Sequence, residues 1–240
     1  MSALRTSIRD FLLLASLALR LQLGKRFWLV PLLALAWPAW HAFRLLVGWR
    51  VQSFAPVDAQ NTLIGIPLII IAIGIGVRVI ASEIEQRTLE VTYTVPGGAR
   101  RVWIAKLVSA LVPILIAEAA IAAITAAFFT SYPLAALYGA FQGAVFYLVL
   151  AMGCGALFRS EITGALGASV LLGLNGFATG FGELSTRWSP VFNPLGATGA
   201  NPVDLFAWTV QNRIGVALLV MALYALSSVR AERREQLLRV

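Results

Sequence analysis

The sequence predicts an all-α integral membrane protein of six transmembrane helices, and three observations carry that reading. Of 240 residues, 59% are hydrophobic and 12% charged, against roughly 45–50% and about 25% in an ordinary soluble domain. Six stretches approach or exceed the roughly 20 apolar residues that a helix needs to cross a hydrocarbon core about 30 Å thick. The basic residues fall almost entirely on one side of those stretches.

The spans read as 27–48, 62–81, 103–128, 132–157, 162–182 and 207–229. Low-charge linkers join them, so residues 1–240 form a single membrane domain. An even number of spans puts both termini on one side. That side holds Arg5, Arg9, Arg20, Lys25, Arg26, Arg87, Arg100, Arg101, Lys106, Arg159, Arg230, Arg233, Arg234 and Arg239. The other side holds only Arg50 and Arg187, while Arg44, Arg78 and Arg213 fall within spans. The positive-inside rule then makes both termini, including the tail 230–240, cytoplasmic. The formal net charge of +8 is therefore mostly topological, and nucleic acid is not expected as a partner.

Residues 1–26 begin basic and contain the apolar run Phe11–Leu19, but Arg20, Lys25 and Arg26 stand where a signal peptide has small cleavage-site residues. An amphipathic helix on the inner surface fits better. Trp28 and Trp103 mark inner ends of spans, and Trp49, Trp188 and Trp208 outer ends, as expected of interfacial indoles. Small residues are spaced for close helix packing: Gly139 with Gly143, Gly176 with Gly180, and Gly164, Gly167 and Gly173 in the fifth span. Pro38, Pro67 and Pro113 predict kinks. The outer segment 183–206 carries Ser189-Pro190, Asn193-Pro194 and Asn201-Pro202 among apolar residues. It reads as short broken helices dipping back into the outer leaflet.

Ionisable groups inside spans are costly and therefore informative. Glu118 lies about 22 Å from the inner face and Arg213 about 9 Å from the outer one, at 1.5 Å per residue. In a core about 30 Å thick those depths coincide. The expectation is an inward-facing Glu118 paired with Arg213, with Arg44 and His41 as lesser candidates. Such a pair serves either helix packing or a polar patch lining an outward cavity.

Between the second and third spans lies a segment, 82–102, with charges at Glu83, Glu85, Arg87 and Glu90 and apolar points at Ile84, Leu89, Val91 and Val95. Pro96-Gly97-Gly98 ends any helix there. A short amphipathic element of this kind suits docking against a soluble partner, and a solvated loop suits the composition equally. No G-x-x-x-x-G-K-[ST] phosphate loop occurs. One histidine and one cysteine give no His-pair zinc centre and no internal disulfide. Cys154, between Gly153 and Gly155, reads as small packing.

The same segment resembles the membrane subunits of ABC-2-type ABC transporters, whose pattern is an acidic pair, Gly-Thr-Leu-Glu, a Pro, an Arg and a Lys. Glu83 and Glu85, Thr88-Leu89-Glu90, Pro96, Arg100 and Lys106 match it. Arg87 replaces the usual Gly, and Gly97-Gly98-Ala99 lengthens the step from Pro to Arg. The six-span layout, amphipathic start and irregular outer segment also look like that family. The resemblance implies a permease of an exporter in the inner (cytoplasmic) cell membrane. It would pair with a second copy of itself or a homologous permease, and dock through segment 82–102 on separate ABC ATPase subunits. The chain itself would be no enzyme and carry no cofactor, ATP and Mg belonging to the ATPase. Transport would proceed by alternating access at the dimer interface, where small-residue faces of the second and fifth spans meet. The alternative from another class is a self-contained proton-coupled secondary transporter using Glu118.

Overall fold

A computed structural model of the chain describes residues 13, 16–20, 24, 28–49, 52–88, 98–181, 186–197 and 199–232. Among them there is no strand, and six helices are long and apolar enough to cross a membrane. They are α1 (Leu29–Leu46), α2 (Pro56–Val79), α3 (Gly98–Phe128), α4 (Leu134–Phe158), α5 (Glu161–Phe181) and α6 (Pro202–Glu232). Their length and apolar composition suggest a multi-pass membrane protein. The bundle end that carries 80–88, Arg100, Arg159 and Arg230 is called here the basic end, and the other the opposite end.

Two spans begin earlier than their hydropathy predicts. The sequence places the second at 62, yet helix runs from Pro56, and the sixth starts at Pro202 rather than 207. In both cases Pro sits at the first helical position, where its missing N–H costs nothing. Asp58 and Asp204 then lie in the first turn, where a carboxylate opposes the helix dipole. Polar first turns hid these starts.

The start of α2 is not regular. Ala59–Gly65 winds as a π-helix before Ile66–Gly76 returns to α geometry. Pro67 has no N–H to give the preceding turn, and the Thr62 carbonyl instead accepts Trp37 Nε1–H from α1 at 2.7 Å. The wider turn puts Ala59, Gln60, Leu63 and Ile64 all in the interior.

α4 is the central helix, packed against α2, α5 and α6, while α3 covers α2 and meets α1. Leu63, Ile64, Leu68, Ile114, Ile121 and Leu148 are fully buried in the largest core cluster. A second cluster, at the basic end, gathers Val79, Ile80, Trp103, Met152 and Ala156. A third joins α2, α4 and α5 around Tyr147 and includes the buried free Cys154. α2 and α4 approach backbone to backbone at Gly76, where a Cβ would strike the Leu148 carbonyl. The small-residue face of the second span is thus partly consumed inside the chain. α4 and α5 form a tight hairpin across Arg159 and Ser160, with Arg159 in the left-handed region at φ 56°. Large apolar side chains of α5, including Ile162, Leu166, Val170 and Phe177, point outward. Among the described residues of the outer segment, Thr186–Trp188 and Pro194–Gly196 are 3-10 turns.

Candidate functional site

At the basic end, Ile80 breaks the run of α2 and a short helix, Ala81–Glu85, follows it. Its ending is a complete Schellman motif. Thr88 N–H donates to Glu83 O at 3.0 Å and Arg87 N–H to Ile84 O at 3.2 Å, with Arg87 at φ 56°. This is a position that favours Gly, because a Cβ crowds the carbonyl there.

The short helix is clamped to α3. Lys106 Nζ lies 2.6 Å from Glu83 Oε1 and also donates to Val79 O at 3.1 Å. Trp103 Nε1–H reaches Glu83 Oε2 at 3.3 Å. Glu83 and Lys106 are 6% and 4% exposed, and Trp103 is fully buried. Two opposite charges in such surroundings hold each other firmly, and neither tolerates loss of its partner. The expectation of Glu83 as a docking contact is corrected: its carboxylate faces inward and is satisfied within the chain. Glu85 is exposed, but its Oε1 accepts the Glu161 N–H at 2.8 Å and so caps the start of α5. Arg78 bridges to the same helix start through Glu161 Oε2 at 3.1 Å. Gln86, Arg87, Thr88 and Arg100 stand exposed. Leu89, Glu90 and Pro96 lie outside the described residues.

The intramembrane pair does not form. Glu118 is buried at 7% exposure, as expected of an inward-facing residue. Its Oε1 has no hydrogen-bond partner among the described residues. Arg213 is engaged elsewhere: Nη1 donates to Gln142 Oε1 at 2.8 Å, and the guanidinium lies 4.7 Å from the Tyr138 ring centre. The depths agreed, but α3 and α6 present these side chains to different neighbours. Near Glu118 stands Tyr132, in the turn before α4. Its hydroxyl donates to Ala122 O at 2.6 Å. His41 is buried among rings, edge-on to Trp37 and Phe54 with centres 5.1 and 5.3 Å away.

Sequence reasoning missed a network of uncharged groups at the opposite end. Gln142 Nε2 donates to Asn212 Oδ1 at 3.1 Å, and Asn212 Nδ2 reaches the carbonyls of Arg187 and Ser189, each at 2.8 Å. Gln60, carried inward by the π turn, donates to Phe192 O at 2.8 Å. Asn193 Nδ2 donates to Val57 O at 2.9 Å. Segment 186–197 is thereby tied to α2 and α6, and through Asn212 to α4. The signal was available in retrospect: Gln142, Asn175 and Asn212 are carboxamides within apolar stretches, and each must find partners there.

Among the described residues, no group of three or more His, Cys, Asp or Glu side chains converges as a metal site would require. No family model matches the chain, and neither a curated protein nor a solved structure does.

Proposed function

We propose that the chain is the membrane-spanning permease subunit of an ATP-driven exporter of the ABC-2 type. It would work as a homodimer, or with a homologous permease, docked on separate cytoplasmic ATPases in the inner cell membrane. The observation that carries this reading is the buried Glu83–Lys106–Trp103 clamp. A segment that receives force from a motor must be fixed to the helices it moves. Glu83 and Lys106 stand at the two ends of the matched pattern, and their contact joins the helix after α2 to α3. Arg87 adds support: the residue replacing the pattern's Gly adopts the left-handed backbone that a Gly would supply.

In this reading 82–102 is the cytoplasmic coupling segment, and the exposed Arg87, Thr88 and Arg100, together with Leu89, Glu90 and Pro96 of the matched pattern, would meet the ATPase. Glu83 and Glu85 hold the segment rather than touch the ATPase. Residues 1–26 lie along the inner surface, and 183–206 dips into the outer leaflet. Closure of the two ATPases pulls the segment and tilts the bundles, alternating access between them. Purification from native membranes tests this. A stoichiometric partner bearing a phosphate-binding loop is the expected companion, and Leu89→Asp should abolish ATP-driven flux. Intact flux in that variant would remove the docking assignment.

The burial of Glu118, with one oxygen unpartnered among the described residues, favours a second reading as a proton-coupled carrier. It predicts flux by this chain alone, driven by a pH gradient and lost in Glu118→Gln.

A further inference from the structure

Arg213 is a charge inside a span that no acid answers among the described residues. Its guanidinium has five N–H bonds to give, and Gln142 Oε1 takes one of them at 2.8 Å. The Tyr138 ring covers one face of the group, its centre 4.7 Å away. Arg213 is half-buried, and its remaining donors are not sealed from the surroundings. A cation within hydrocarbon is costly without a counter-charge, and an anion is what relieves it.

Depth decides which anion can reach. Tyr138 and Gln142 stand about 6 and 12 Å past Leu134, the start of α4, at 1.5 Å per residue. The 25 residues of α4 span about 37 Å by the same rise, roughly 7 Å more than a hydrocarbon core about 30 Å thick. With that excess shared between its ends, a guanidinium held between Tyr138 and Gln142 lies just inside the hydrocarbon border. Lipid headgroups lie just outside it. Phe206 and Val210, nearer the start of α6, share the face of Arg213 and are exposed. Further in, Ala217 and Met221 continue that face and are exposed too.

We infer that a phospholipid of the leaflet at the opposite end docks at the junction of α4 and α6, its phosphate oxygens on Arg213 and an acyl chain along Ala217 and Met221. The guanidinium fork matches two phosphate oxygens, and Gln142 and Tyr138 hold it in place for them. A free phosphate ion would meet the same fork but gain nothing from the apolar face beyond it. The inference rests on the membrane-spanning helices alone and not on the ATPase reading.

Intact-protein mass spectrometry of the full chain, released from detergent micelles, tests it with dioleoyl phosphatidylglycerol against dioleoylglycerol, which lacks the phosphate. Arg213→Gln removes the charge at the junction, and Arg44→Gln removes one from α1, which packs on α3. The unaltered chain is expected to prefer the phospholipid at least tenfold, Arg44→Gln to match it, and Arg213→Gln to lose at least tenfold of that preference. Inorganic phosphate in large excess should not displace the lipid; displacement would show a simple anion site and overturn the lipid assignment. Equal binding of the two lipids, an equal loss in Arg44→Gln, no loss in Arg213→Gln, or an Arg213-dependent dimer free of lipid would overturn it as well. A phosphatidylglycerol with a photoactivatable acyl chain keeps the question decidable even if Arg213→Gln fails to fold. It should label α6 around Ala217 and Met221 in the unaltered chain, and labelling confined to other helices would contradict the inference.

Discussion

At the basic end, the short helix after α2 is joined to α3 by full charges, Glu83 on Lys106, and α5 is capped by the Glu85 carboxylate. At the opposite end α2 and α6 are joined to segment 186–197 by amides, and Arg213 is answered by Gln142 and Tyr138 rather than by an acid. The difference is one of concentration. A buried ion pair puts most of a joint's strength in two side chains, since removal of either strands a charge. A network of neutral hydrogen bonds spreads it over many, each contributing about 0.5–1.5 kcal/mol net. Under the proposed coupling role, a stiff joint suits the end that would receive force.

The contrast breaks most visibly at Lys106. Lys106→Met should destabilise the bundle by about 3–5 kcal/mol, because Glu83 is left buried and charged. Adding Glu83→Gln should recover much of that loss, and thermal unfolding of both variants in one detergent measures the coupling. Gln142→Leu is the corresponding break at the other end. It removes Arg213's hydrogen bond and leaves Asn212 Oδ1 unanswered, for a smaller loss of about 2–3 kcal/mol. Gly139→Ala should cost about 1–2 kcal/mol by overpacking, since the new Cβ lands on the Gln60 carboxamide that holds Phe192. Hydrogen exchange near Phe192 should rise in that variant and stay unchanged near Glu83. Smallest is Arg87→Gly, which relieves the left-handed cost and should raise stability by about 1 kcal/mol.

Hydropathy alone made the six spans legible, because a membrane leaves a chain no other way to satisfy about 30 Å of backbone. It blurred the starts of α2 and α6, where Asp58, Gln60, Asn61 and Asp204 make helix look like loop. Segment 82–102 was visible by its charges, but the role of Glu83 was not. Its partner is 23 positions away across a turn, and a sequence does not show which acid folds inward. The Glu118–Arg213 expectation failed for a similar reason. Counting residues fixes the depth of a side chain along a helix but not its direction around it. Arg213 found Gln142 at matching depth on α4, and the π turn that aims Gln60 has no simple periodic signature.

The coupling reading is tested most directly by cross-linking from Thr88, the exposed residue at the tip of the clamped helix. A Thr88→Cys chain carrying Cys154→Ala would be treated in native membranes with a short thiol-to-amine linker. The account predicts a one-to-one adduct with a protein containing a phosphate-binding loop, together with loss of ATP-driven flux. A Thr88→Cys chain that links to nothing, and that after reconstitution alone still carries flux along a pH gradient, would contradict it.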